Sequence, residues 1–439
     1  MEEFKEVDDA YTLPEAIREA QRCLHCKVPL CKKGCPISND IPLWIAELAK
    51  GNFGNAMSII NTRSNLPAVC GRVCGHERQC EGSCVLGKKG AHINIGKLER
   101  FVADFDWEAG LTHEAIPEPG RGSVAVVGSG PAGLTIAGDL ARQGFHVEIF
   151  EMEPEPGGVL RFGIPEYRLP KEIVFREIKK IERLGVKFHL RTTIGLNFTV
   201  DELFQQGFDA VFLGTGTGQP KKLQIPGINH PGVRQAIWFL RRVNLIRNGE
   251  ITRDETDDTL VAPGDKVGVI GCGNTAMDAA RTALRLGASE VYIIYHRNID
   301  TMSALRSEYD DAVSEGVQFL WNSSVTNIEG GDGDRLASVT IANGENEEIL
   351  KLDRLLMAVG SAPASRIVST TDGIDVDGNG YVVTRDNPYG MSSRQGVFAG
   401  GDVTNRPATV VHAMRDAKLV AEGIAKYVDA VRLMAEITR

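Results

Sequence analysis

Cys23-Leu-His-Cys26, Cys31 and Cys35-Pro36 spell C-x2-C-x4-C-x3-C-P, and Cys70, Cys74, Cys80 and Cys84 follow at gaps of three, five and three residues. Eight of the nine cysteines therefore fall within the first 84 residues. Thiolates this close together suit zinc or iron–sulfur centres. Structural zinc sites commonly pair two C-x2-C knuckles, and one is present here. A run ending in Cys-Pro is instead the habit of ferredoxins, where the last cysteine serves the other cluster of a pair. Iron–sulfur is the reading favoured over two zinc sites. Eight thiolates would supply two four-iron clusters, and Cys35 could cross between them, but spacing alone leaves open which sulfur goes where. His25, inside the knuckle, reads as a neighbour and not a ligand.

Two glycine turns carry the second chemistry. Gly128-Ser129-Gly130-Pro131-Ala132-Gly133 follows the apolar run Ser123–Val127 and opens a helix expected to reach Gln143. Glu151 ends the next expected strand, His146–Glu151. In that context the glycines admit a pyrophosphate at a helix amino terminus, and the acid can accept from an adenosine ribose. Gly271-Cys272-Gly273-Asn274-Thr275-Ala276 repeats the arrangement after Lys266–Ile270, with a helix through Leu286 and a strand Val291–Tyr295. That strand runs into His296-Arg297, with no acid at the ribose position. An arginine there suits a 2′-phosphate, so NADP(H) is favoured over NAD(H); a solvated strand-end arginine is the plainer alternative. Cys272 reads as a small turn residue. Near the carboxyl end, Val397-Phe398-Ala399-Gly400-Gly401-Asp402 returns to the first nucleotide, and 408–417 reads as a helix whose amino end, at Thr409, faces a cofactor ring.

The elements that must position these residues imply an α/β protein: two βαβ nucleotide-binding domains preceded by a small α-helical region, with a helix at Ile41–Ala49, that cannot bury a large core alone. The Pro/Gly-rich stretch Ile116–Gly122 separates the two textures. The net charge of −9 gives no reason to expect nucleic acid or an anionic membrane as partner. No apolar run is long enough to span a membrane, and the acidic Met1–Glu6 is unlike a signal peptide, so a cytoplasmic location is expected. No Ser-His-Asp or H-E-x-x-H spacing argues for a catalytic acid, base or nucleophile.

Along almost its whole length the sequence resembles the small (beta) subunit family of NADPH-dependent glutamate synthase, whose relatives include the large subunit of NADH-dependent ferredoxin:NADP⁺ oxidoreductase and the amino-terminal half of dihydropyrimidine dehydrogenase. The resemblance rests on Cys23–Trp44, Cys70-Gly-Arg-Val-Cys74 with Cys80-Glu-Gly-Ser-Cys84, Ile93–Arg100, Gly157–Pro165 leading into Arg168-Leu-Pro170, and Asn274–Asp278. It implies two [4Fe–4S] clusters, one on Cys23, Cys26, Cys31 and Cys84, the other on Cys35, Cys74, Cys80 and the carboxylate of Glu99, with Cys70 spare. It implies FAD on the first glycine turn, with Glu151, Gly158, Arg168, Thr215, Gly216, Gly401 and Asp402 around it, and NADP(H) on the second, beside Ala358 and Gly360. Relatives show two consecutive basic residues where this chain has His296-Arg297, and Pro or Arg where it has Ser303; Arg306 is the candidate substitute.

The expected layout is a helical iron–sulfur domain at 1–115, an FAD-binding domain in two parts at 116–255 and 369–439, and an NADP(H)-binding domain at 256–368. The resemblance implies an oxidoreductase that passes electrons from NADPH through FAD and the clusters to a redox partner subunit, either a large synthase subunit or a ferredoxin or flavoprotein subunit. Making glutamate would need another chain. The rivals are an electron-bifurcating subunit, the input subunit of a dihydropyrimidine dehydrogenase, and a zinc-stabilised docking module on a flavoprotein.

Overall fold

The run Ser123–Val127, small and β-branched throughout, forms the strand Gly122–Val127 inside a seven-stranded sheet, buried on both faces as a parallel strand between helices must be. The computed structural model describes residues 4–251, 260–404 and 409–438. The sheet order is 384–386, 389–392, 397–399, 210–213, 122–127, 145–150, 187–189; the last five strands are parallel, and the 389–392 strand turns antiparallel to 397–399. Register pairs Val124 with Val147 on one side and Ala210 on the other. Pro131–Arg142 is the helix of the first βαβ unit, and Gln143 caps it.

The chain divides into two compact units. One, Asp8–Arg161 with Arg168–Gln219 and Ala362–Arg439, holds this sheet together with the cysteine region. Six α-helices carry that region, at Leu13–Gln21, Leu30–Gly34, Ile41–Ala49, Phe53–Asn61, Pro67–Val73 and Ile95–Ala109. Trp44, Leu48, Met57, Ile60 and Leu98 are fully buried among them, a small core. The region is tied to the helices that flank this sheet, Pro131–Arg142 and Lys171–Arg183, by polar contacts. The Asn65 amide donates to the Thr135 carbonyl (3.1 Å) and to Asp139 (2.9 Å), and the Ala68 N–H donates to Glu177 (2.7 Å).

The other unit comprises Pro220–Ser361 with Phe162–Tyr167 and the described residues up to Val7. Its five-stranded parallel sheet runs 233–235, 354–357, 266–270, 290–295, 318–321, and an antiparallel sheet of 324–330, 336–343 and 346–350 shares a core with it through Ile294, Val339, Ile341 and Leu355. This unit starts at Pro220, well before 256, because Val233–Gln235 pairs with Leu355–Met357 and Ala236–Arg247 packs on Asn274–Arg285. The boundary expected at 255/256 lies outside the described residues.

The expected helix over 408–417 is Val410–Ile437, capped by Thr409; Ala408 lies outside the described residues. The apolar stripe Val420, Ala421, Ile424, Val428 continues with no breaker, and Gly423 within it meets the Tyr389 carbonyl so closely that a Cβ would stand 2.2 Å from the oxygen.

In the second unit Arg281 is the largest buried charge, its side chain 2% exposed. It pairs with Glu315 (2.8 Å), Glu308 (3.2 Å) and Asp311 (3.2 Å) and lies over the Tyr167 ring. Removing one member of a buried ion network strands the others. Arg281→Ala is therefore expected to destabilise this unit by about 3 kcal/mol, read as a lowered urea midpoint; a shift under about 0.5 kcal/mol would mean the acids rehydrate freely.

Candidate functional site

The cysteines fall into two neighbourhoods. Cys23 follows the first helix, its N–H donating to the Ala20 carbonyl; Cys31 lies in Leu30–Gly34, and Cys84 caps the 3₁₀ turn Val85–Lys88. With Cys26 these three line one small cavity walled by Ile41, Ile45 and Ile95. Burial pushes the Cys31 thiol up to about 11, and the charges of Cys23, Cys84 and Cys26 push the same way. The second neighbourhood is deeper. Cys35 is pushed up to about 11 by burial, with Glu99 and Cys70 adding to it. Cys74, hydrogen-bonded to Cys70, and Cys80, chiefly by burial, are held well above the ordinary thiol value, and Glu99 contributes to both.

Glu99 itself is buried, and burial, then the charge of Glu177, raises its carboxyl to about 8. It is aimed there by a close helix crossing: a Cβ on Gly71 would stand 2.5 Å from the backbone nitrogen of Arg100. Pro67–Val73 and Ile95–Ala109 therefore touch backbone to backbone, with Cys70 and Cys74 brought beside Glu99. Thiols and a carboxyl gathered in a dry site favour their neutral forms alone, and a cationic metal centre that displaces their protons reverses this, so the donor set fits a cluster. Among the described residues no three His, Cys, Asp or Glu side chains converge on a single ion. Cys70 is buried, its thiol 3.5 Å from the Met414 sulfur on the long carboxyl-terminal helix. His25 is exposed and turned to the Pro42 carbonyl (3.2 Å).

At the first glycine turn, Gly133 seats the helix on the strand end, since a Cβ there would lie 1.9 Å from the Gly128 carbonyl. Gly130, before Pro131 and Ala132, and Gly216, after Thr215, face open space: a Cβ at either meets nothing within 4 Å. Glu151 is buried against the turn. One oxygen accepts from the Ser129 N–H (2.8 Å) and the Ser129 hydroxyl, and the other from the Glu153 N–H (2.8 Å). A carboxylate has about four acceptor positions. Three are used within the protein, so Glu151 holds the turn and keeps one acceptor position. Gly158 packs on Gly130, a Cβ there being 2.8 Å from the Gly130 Cα, and Arg168 is half-buried in the following loop.

Gly401 donates its N–H to Asp416 (2.7 Å), which also accepts from Tyr389 (3.0 Å). Asp402 beside it is raised to about 6 by burial and then by Asp416. Thr409 caps the long helix by accepting from the His412 N–H. Ser129, Asp416 and the buried Lys171, which ties the Leu160 and Leu169 carbonyls (3.1 and 3.0 Å), were not singled out from the sequence. The one signal for Lys171 was its place directly after Arg168-Leu-Pro170.

The second turn lies in the other unit. Gly271 crosses under Ala358, whose carbonyl a Cβ would meet at 2.4 Å, and Gly273 caps Asn274–Arg285. The Asn274 side chain accepts from the Leu305 N–H (2.9 Å), so it ties down the 303–305 loop; Thr275 is exposed and Ala276 buried. His296 and Arg297 are exposed at the strand end, and Arg297 has no ion-pair partner among the described residues. Arg306 is engaged with Asp310 (2.9 Å) and lies over Tyr309, which weakens it as a substitute phosphate ligand. The Gly360 carbonyl accepts from Lys221 (3.0 Å). Cys272 is buried, its thiol pushed up to about 12, an inert turn residue.

Residues 1–111 match the dihydropyrimidine dehydrogenase domain II, 4Fe-4S cluster family, and 122–417 the pyridine nucleotide-disulphide oxidoreductase family. The glutamate synthase [NADPH] small chain of Halomonas elongata is 34% identical over 97% of this chain and 94% of its own, and that of Escherichia coli 33% over 97% and 94%. The chain belongs to the glutamate synthase small-chain family. As a family member it is an NAD(P)H-dependent oxidoreductase with flavin and [4Fe–4S] centres. The NAD-dependent dihydropyrimidine dehydrogenase subunit PreT of Escherichia coli is 32% identical over 97% of both chains. Thioredoxin reductase of Lactococcus lactis shares the nucleotide-domain fold, with a TM-score of 0.54 at 23% identity over 70% of this chain and 99% of its own. Among the described residues no helix is long and apolar enough to cross a membrane.

The raised Asp402 gives a sign-definite pH effect. Its carboxyl titrates higher in the fold than in the unfolded chain, so its charge costs stability above about pH 6, and the cost fades as pH falls through 6 toward the ordinary Asp value. In flavin-depleted protein Asp402→Asn is expected to melt higher than the parent at pH 8 and level with it near pH 4. Parallel melting curves at every pH would rule out a buried, raised Asp402.

Proposed function

We propose that this chain is the NADPH-oxidising, electron-delivering subunit of a two-component synthase of the glutamate synthase type. FAD held at the first glycine turn would supply the chemistry of hydride acceptance and single-electron release, and clusters held by the cysteines and Glu99 would supply one-electron relay toward the partner subunit. The residues bind and tune. Glu151 holds the first glycine turn and offers one acceptor to the ribose. Gly130, Pro131, Ala132 and Gly133 present a helix amino terminus to the pyrophosphate. Asp402, kept next to Asp416, offers a carboxyl to the flavin side, with Gly158, Arg168, Thr215, Gly216, Gly401 and Thr409 framing the site. Gly271, Gly273, Asn274, Thr275 and Ala276 cradle the NADPH phosphates, Arg297 with His296 meets the 2′-phosphate, and Ala358 and Gly360 flank the nicotinamide.

One observation carries this reading. Cys23, Cys26, Cys31 and Cys84 line one cavity, Cys35, Cys74 and Cys80 lie near Glu99, and both groups share one unit with the first glycine turn, where Cys70 beside Cys74 touches Met414 of the long carboxyl-terminal helix. The ligand set of the second group is supported by the raised carboxyl of Glu99. A second reading, an NADH-fed subunit, is favoured by the full-length similarity to an NAD-dependent dihydropyrimidine dehydrogenase subunit and by the single arginine at the strand end.

Two experiments test it. Glu99→Cys should alter the EPR signal of one cluster and leave the other as it was; two unchanged signals would remove Glu99 from the ligand set. In anaerobic stopped flow, NADPH should bleach the flavin faster than NADH. Arg297→Ala should raise the NADPH KM about tenfold, or about 1.4 kcal/mol, with kcat and the NADH reaction little changed. Equal parent rates with both nucleotides would instead favour the NADH-fed alternative.

A further inference from the structure

The surface over the first cysteine group differs from the rest of this acidic chain. Leu24, Val28 and Leu43 are 61%, 60% and 58% exposed, an apolar cap beside Cys23 and Cys26. The chain carries a net charge of −9, yet residues 22–33 contain Arg22, Lys27, Lys32 and Lys33 and no acid, and Lys88-Lys89 follow Cys84. Arg22 pairs with Glu19 and Lys32 with Asp40. Lys27, Lys33, Lys88 and Lys89 are exposed and make no ion pair among the described residues. An open cleft of about 580 Å³ enters this surface, lined by Leu30, Lys33, Glu81, Cys84, Lys88 and His92. The one acid in it, Glu81, is committed to the Gly96 N–H (2.9 Å) and faces His92 (3.7 Å). An apolar centre with a polar, single-signed rim is the anatomy of a transient protein interface, and unpaired lysines around a cleft steer an acidic partner.

We propose that this face is where the electron-accepting partner docks, and that the partner presents an acidic segment which enters the cleft between Lys33 and Lys88 and ends against Cys84. The proposal rests on the electron-delivery reading above and adds to it the exit. The second group is the deeper of the two, with Cys70 beside it touching the carboxyl-terminal helix, and the first borders the surface, so one-electron transfer outward leaves from the Cys84 side. The partner is reduced by one electron for each electron released, two per NADPH oxidised.

The test uses the loaded full-length chain under nitrogen, with NADPH as donor and two protein acceptors of opposite charge: rubredoxin, which is acidic, and cytochrome c, which is basic. Lys27→Glu, Lys33→Glu and Lys88→Glu are combined in one variant. The parent should reduce rubredoxin at a rate that falls as salt is added. The variant should lose at least tenfold of that rate at low salt, lose the salt dependence, and gain on cytochrome c. A rubredoxin rate unchanged by the triple reversal, or no reduction of rubredoxin by the parent, overturns the proposal. Bleaching of the flavin and cluster absorbance by NADPH alone is recorded in both proteins. If the parent's clusters stay oxidised, the electron-delivery reading has failed; if they bleach normally in parent and variant while rubredoxin is indifferent to charge, the docking face alone has failed.

Discussion

The contact between Gly71 and the Arg100 backbone governs the chemistry of the cysteine region. Two helices can come this close only where one has no side chain, and the approach turns Cys70 and Cys74 on one helix toward Glu99 on the other. The same short helix carries the Ala68 N–H that donates to Glu177, so the crossing is also anchored on the helix Lys171–Arg183 of the nucleotide-binding domain. A region too small to hold its own shape is thereby given rigidity by its neighbour. That rigidity matters for electron transfer, because a fixed protein frame keeps reorganisation small when charge moves between centres.

Burial sets the electrostatics of this frame. Glu99 pays desolvation and repulsion from Glu177, and the thiols around it pay desolvation and repulsion from one another. Only a strongly cationic centre makes their charged forms the stable ones, so folding of the region and loading of its clusters are linked. Arg281 shows the opposite solution in the second unit, a buried cation compensated by three acids of its own chain. One unit completes its charge balance internally; the other leaves it for a prosthetic group.

Much of this was legible in the sequence, and the reasons differ by element. The strand–turn–helix units were readable because apolar runs, glycine turns and helix periodicity agree locally, and Gly122–Val127, Pro131–Arg142 and Lys266–Ile270 lie where those patterns point. That Cys84 lies with Cys31 across some fifty residues of chain was not readable from spacing, and the expectation of it came from resemblance alone. The start of the second unit at Pro220 was hidden because Val233–Gln235 is a three-residue strand whose partner, Leu355–Met357, is far away in sequence. Ser129 and Asp416 escaped notice for a related reason: their work is to hold a turn, and a hydrogen bond to a backbone N–H leaves no periodic trace.

The two glycine turns show how one motif supports different ligands. At the first, an acid closes the strand and is mostly consumed by the turn it faces, which fixes the backbone donors at the helix end before any nucleotide arrives. At the second, the tie is Asn274 to Leu305, and the strand end is left to an exposed His296-Arg297 pair. A pre-ordered, buried turn suits a cofactor that stays; an open turn whose charged recognition lies in solvent suits one that must leave after each hydride is delivered. The first turn is thus fixed by buried side-chain bonds of its own, and the second is fixed by one loop tie with its charged pair left in solvent.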